Sequence, residues 1–239
     1  MTKRKIVIFT HIPKVAGTSL LERLIHANYA PEEIRQFRGI RDLVVRRTGH
    51  KVLIGHNPFG MGDFIPSECS SFTMFRDPVA RAISHFYFIR QPALDPAKEG
   101  NHDQKVLHRA VRLKNIFDRT RHQRWHPGSS WLMDNLQTRY TAGYRHNWRG
   151  EKSSTLLAVA KKNLREKYYV FGIQDRFEES LGVIADSFGW TIGPPVNWAR
   201  VTRIEKDYDE EDLEAVRRHN HLDQELYDYA RALFAERFG

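Results

Sequence analysis

Four residues packed into one turn give the first chemistry. The segment "IFTHIPKVAGTSLLERL", residues 8–24, begins as a buried strand and ends as an amphipathic helix, with Lys14, Gly17, Thr18 and Ser19 between them. A strand that enters a helix through a glycine-containing turn presents unpaired backbone N–H groups and the positive end of the helix dipole at one point. A phosphate suits that point. Lys14 adds a mobile charge, Gly17 allows close backbone approach, and the Thr18 and Ser19 hydroxyls add donors. The spacing is not G-x-x-x-x-G-K-[ST], because the lysine here precedes the glycine by three. An ordinary helix, capped by Thr18 or Ser19 with an exposed lysine beside it, fits the same letters.

A second segment favours the anion cradle. "FRDPVARAIS" puts Arg76 at the carboxyl end of a core strand and Ser84 two turns into the next helix. A guanidinium and a hydroxyl make a second phosphate site, although a surface Arg76 and Asp77 arrangement with Ser84 as filler reads equally well in isolation. Two anion sites on adjacent strand ends suit a nucleotide with phosphates at both its 5′ and 3′ positions. A third strand, "KVLIG", is followed at once by His56, whose neutral imidazole can accept a proton near neutrality. His11, beside the cradle, is the second candidate base and reads better as a group that orients the turn.

"HIPKVAGTSLLERL" and "RDPVARAISHFYFIR", in that order and spacing, resemble the nucleotide-binding motifs of sulfotransferases that use 3′-phosphoadenosine 5′-phosphosulfate, PAPS. The likeness is to carbohydrate sulfotransferases of the heparan sulfate 2-O-sulfotransferase type. "DNLQTRYTAG", "VFGIQDRFEESL" and "NHLDQELYDYA" are similar to that family too, so the resemblance covers most of the chain. It implies that Lys14, Gly17, Thr18 and Ser19 hold the 5′-phosphosulfate, and that Arg76 and Ser84 hold the 3′-phosphate. It implies that Lys14 stabilises the leaving phosphate and His56 is the general base. Thr202 and Arg203, in "PPVNWARVTR", are looser carry-overs near the nucleotide. Where that type has His-Gly-His, this chain has Ile54-Gly55-His56, so any helper role of a first histidine is absent or taken elsewhere. The implied reaction moves a sulfuryl group to a hydroxyl of a saccharide or glycolipid, with PAPS as donor and no metal.

The elements that must position these residues are legible as periodicity. "KIVIFT", "KVLIGH", "SSFTMFRD" and "YYVFG" read as buried strands, separated by stretches long enough to cross over. They predict an α/β, P-loop-like three-layer fold with a central parallel sheet flanked by helices. Helices are expected over 18–29, 76–90, most of 104–165 with one stop at Gly143, 175–188 ending at Gly189, and one long helix near 209–237. Residues 91–102, with two prolines, are expected to be a loop. There is no repeat or linker, so residues 1–239 are expected to be one domain.

Composition narrows the partners. The 38 Lys and Arg against 29 Asp and Glu give a net charge of +9, which favours anionic partners without choosing among them. Cys69 is the only cysteine, which excludes an internal disulfide framework and reads as packing. The apolar run 6–9 is too short for a signal-peptide core, and no stretch has the length of a membrane span, so a cytoplasmic protein is expected. "RTRHQRWHPGSSWL" and "RYTAGYRHNWRG" mix aromatic rings with cations, which suits an acidic sugar; His11, Arg124, Trp125 and Arg145 are the acceptor-side candidates. "HNH" at 219–221 is expected to be coincidence. Two other readings compete: a P-loop-type kinase or NTPase with Asp77 as a magnesium ligand, and a basic nucleic-acid-binding protein, which no recognised motif supports. Oligomeric state is not encoded in any of these patterns.

Overall fold

Ile6–Thr10 is extended because β-branched and aromatic residues alternate between two apolar environments. In the computed structural model, which describes residues 5–45, 49–94, 113–117, 131–146, 152–195 and 207–239, this strand is β1. Val7 and Phe9 pack with Val52, Ile54 and Phe72 in the larger core. Ile8 packs with Phe37, Leu43, Leu53 and Met61 in a separate cluster. Both faces of β1 are thereby covered, as a central parallel strand requires.

The chain turns into helix α1, residues 17–28, which comprises an α turn Gly17–Leu20, a π turn Leu21–Ile25 and a last turn His26–Asn28. β2 is Ile34–Gln36, α2 Ile40–Val45, β3 Val52–Gly55 and β4 Cys69–Phe75. There follow α3, Pro78–Leu94; α4, Leu136–Ala142; α5, Ser153–Glu166; β5, Val170–Ile173; and α6, Phe177–Phe188. The last two helices are α7, Glu210–His219, and α8, His221–Phe238. The sheet has five strands in the order β2-β3-β1-β4-β5, and every pairing is parallel. The expected α/β class, a central parallel sheet flanked by helices, is the one the chain adopts.

Strand order places the chemistry. β3 and β4 flank β1, with Thr10 opposite Gly55 and Phe9 opposite Phe72. The chain builds the β3 side of β1 first and then passes to the β4 side. That reversal makes a crevice outside the carboxyl ends of the strands, where α/β sheets take ligands. The segments after β1, β3 and β4 carry Lys14, His56 and Arg76.

Four expectations about elements are corrected. The N-cap of α1 is Ala16, not Thr18 or Ser19, and it makes no side-chain cap bond. Lys14 and Ala16 both have left-handed backbone, φ 72° and 62°, which tightens the turn and starts the helix at Gly17. The loop expected from 91 is helical as far as Leu94, since Pro92 removes a single helical N–H near the end of α3. β2 carried no strand signal, being three residues long at the sheet edge. The long final helix is two, because Asn220 leaves the helical conformation at φ −123°, ψ 25°.

Among the described residues no helix is long and apolar enough to cross a membrane. Cys69 is partly buried, and its thiol is pushed up to about 11, first by burial and then by Asp63 and Glu68. That suppresses the thiolate near neutrality.

Candidate active site

The two predicted anion sites are joined directly. The guanidinium of Arg76 donates from Nη1 to the carbonyl of Lys14 at 3.0 Å. Left-handed backbone at a residue bearing a Cβ costs about 1–2 kcal/mol, and this bond helps hold Lys14 in it. The Lys14 ammonium lies over the Phe88 ring, 4.1 Å from its centroid. Phe88 is 44% exposed and sits one helical turn after Ser84, which is partly buried on the same helix. Gly17, Thr18 and Ser19 form the first turn of α1, beyond the uncapped Ala16.

Arg76 fits an anion. Its Nε is buried and has no hydrogen-bond partner among the described residues. Burial lowers its pKa, while Asp175, Asp77 and Tyr227 pull the other way. Asp175 is itself held by the Tyr227 hydroxyl at 2.6 Å. Asp77, the magnesium ligand of the kinase reading, instead caps α3: its Oδ1 accepts from the Ala80 N–H at 2.7 Å. Among the described residues no group of three or more His, Cys, Asp or Glu could hold a metal ion.

The contacts of the His56 ring assign its tautomer. Its Nδ1 lies 2.7 Å from the carbonyl oxygen of His11. A carbonyl only accepts, so in the neutral ring the hydrogen is on Nδ1 and the lone pair is on Nε2. His56 is exposed, and its ring stands 4.3 Å from that of His11. His11 in turn stacks on Phe9 at 5.0 Å. A Cβ on residue 17 would lie 2.0 Å from His11 Nε2. A side chain at position 17 would have to displace the His11 ring, a reason for glycine that the letters do not show.

His85 was missed, although it directly follows Ser84. It is buried, and neither ring nitrogen has a hydrogen-bond partner among the described residues. Burial, then the charges of Arg81, Lys14 and His56, bring it from 6.5 down to about 3. His11 is also brought down to about 3, by burial and then by His56. Both are neutral in the folded chain near pH 7. The unfolded chain recovers the ordinary value of 6.5 and takes up two protons between pH 6.5 and 3 that the folded chain refuses. Stability from this source is complete above pH 6.5 and falls as pH drops, by about 1.4 kcal/mol per pH unit for each histidine. Urea unfolding followed from about pH 7 to about pH 5 should show this slope, and His85→Leu should remove about half of it. An identical slope in the variant would refute the assignment.

The remaining candidates disperse. The Nε of Arg145 donates to the Tyr144 hydroxyl at 2.7 Å, and its Nη2 lies 3.6 Å from Asp63, so it belongs to the loop after His56 rather than to the cradle. Arg124, Trp125, Thr202 and Arg203 lie outside the described residues. The "HNH" letters have three separate uses: His219 stacks on Phe117 at 4.2 Å, the Asn220 amide donates to the carbonyls of Met133 and Val216, and His221 Nδ1 meets the Arg218 carbonyl. Gln137 and Tyr140 of α4, unassigned in the sequence reading, touch the main chain at Arg76 and His56.

No family model matches the chain. It is similar to the heparan sulfate 2-O-sulfotransferase hst-2 of Caenorhabditis elegans, 23% identical across 276 aligned positions that span 98% of this chain and 79% of that protein. The molecule with Lys14, His56 and Arg76 at three neighbouring strand ends is thus a distant relative of a sulfotransferase.

Proposed function

We propose that this chain transfers a sulfuryl group from PAPS to a hydroxyl of a saccharide or glycolipid. The observation that carries the reading is the hydrogen bond from Arg76 to the Lys14 carbonyl, which links the two proposed anion-binding segments, with His56 just beyond β3 on the other side of β1. The likeness to hst-2 supports the same class of reaction.

Lys14 and the first turn of α1 hold the 5′-phosphosulfate, and Arg76 with Ser84 holds the 3′-phosphate. The donor supplies sulfur already bonded to a phosphate leaving group. Its S–O bond to that phosphate breaks as a new S–O bond forms to the acceptor oxygen, whose proton passes to Nε2 of His56. Positioning and charge stabilisation supply most of the acceleration in such loose, in-line transfers. The Lys14 ammonium offsets the charge gained by the departing phosphate. The net charge of +9 suits an acidic acceptor.

Calorimetry with adenosine 3′,5′-bisphosphate, set against ATP with magnesium, tests the donor site. Transfer of labelled sulfate from PAPS to a panel of saccharides and glycolipids tests the reaction. The bisphosphate should bind and raise the melting temperature, and a saccharide should acquire label. Stabilisation by ATP with magnesium alone would overturn the reading in favour of a nucleotide triphosphatase.

A further inference from the structure

We infer that Gln137 and Tyr140 are positioning residues of the proposed reaction, one aligning the donor end through Arg76 and the other the proton-accepting end through His56. The inference rests on the sulfuryl-transfer reading for its kinetic consequences.

Gln137 is fully buried, and both ends of its amide are spent on one residue. The Arg76 N–H donates to its Oε1 at 3.0 Å, and its Nε2 donates to the Arg76 carbonyl at 2.8 Å. The last ladder pair between β4 and β5 is Phe75 with Ile173. Arg76 is one residue beyond it. A side-chain amide has the donor and acceptor of a peptide, so Gln137 stands in for the missing strand and holds the Arg76 main chain past the end of the sheet.

Tyr140 lies three residues further along α4, on the same side of the helix. Its hydroxyl donates to the carbonyl of His56 at 3.0 Å, and burial, opposed by Arg139 and Arg81, raises its pKa to about 12, so it keeps its proton. One helix therefore touches the residues that follow β3 and β4, the two strands flanking β1.

The helix is itself fixed at its start. Asp223 accepts from the N–H groups of Gln137 and Thr138 at 3.0 and 2.7 Å, and from the Thr138 hydroxyl at 2.7 Å. In return, Asn135 Oδ1 accepts from the N–H groups of Leu222 and Asp223, at the start of α8. Each helix caps the other. Apolar side chains would fill the same space with less desolvation cost. What they lack is direction, and direction is what the peptide units at Arg76 and His56 receive.

Double-mutant cycles test this. Gln137→Met should weaken bisphosphate binding about five- to tenfold with kcat at saturating donor little changed. Tyr140→Phe should lower kcat by about the same factor and leave bisphosphate affinity alone. Repeated in Arg76→Ala and His56→Ala backgrounds respectively, each effect should shrink below about twofold. Full effects in those backgrounds, or equal losses of affinity and kcat in both variants, would overturn the inference. Should Gln137→Met not fold, Tyr140→Phe decides alone, since it removes one hydroxyl and keeps the ring. A readout independent of turnover is nitrogen NMR of the His56 ring, which should show the Nδ1–H form in the parent and a mixture of tautomers in Tyr140→Phe. An unchanged ring spectrum overturns the His56 arm even if the chain proves to transfer no sulfuryl group. A parent chain that binds no bisphosphate defeats the proposed function instead.

Discussion

His56→Ala is expected to lower turnover about a thousandfold, in the middle of the range for a positioned general base, while bisphosphate affinity stays within about twofold. The reasoning is geometric. The His11 carbonyl fixes the proton on Nδ1, leaving Nε2 at the ring edge to present a lone pair. The proposed donor contacts come from Lys14, Arg76, Ser84 and the first turn of α1, so removing His56 should cost proton transfer and not donor binding. A variant that keeps its rate would remove His56 as the base.

Lys14→Ala is expected to reduce turnover about a hundred- to a thousandfold, as loss of one preorganised charge at a developing anion does, and to weaken donor binding about tenfold. Both residues carry a Cβ and face the same left-handed backbone at φ 72°, so the substitution changes the ammonium and not the turn. The measurement that separates the two roles is kcat at saturating donor alongside the bisphosphate dissociation constant. If saturating donor restores full turnover, Lys14 binds the nucleotide without stabilising its departure.

Much of this architecture is legible in the letters. IVIFT, VLIG, CSSFTMF and VFGI are short runs rich in β-branched and aromatic residues that read as strands, and Lys14, His56 and Arg76 lie just beyond three of them. Ile34–Gln36 was hidden because an edge strand needs neither length nor apolar residues. The break at Asn220 was hidden because the apolar spacing of Leu222, Leu226 and Leu233 is helical on its own and says nothing about the residue before it. Gln137 and Tyr140 were invisible as site residues for a different reason. Their partners are main-chain groups of Arg76 and His56, 61 and 84 residues away, and a peptide carbonyl leaves no letter. DNLQTRYTAG, which contains them, and NHLDQELYDYA are legible as helix and as a family likeness, and the structure gives both a physical use as mutual caps.

That mutual capping has a consequence for how the protein comes into being on the ribosome. Asn135 and Asp223 are 88 positions apart, so α4 lacks its anchor until α8 has emerged and docked. Until then the peptides beside Arg76 and His56 lack their buried supports. A chain with its first four strands in hand still lacks the buried supports beside Arg76 and His56, because they depend on a helix 88 positions further along.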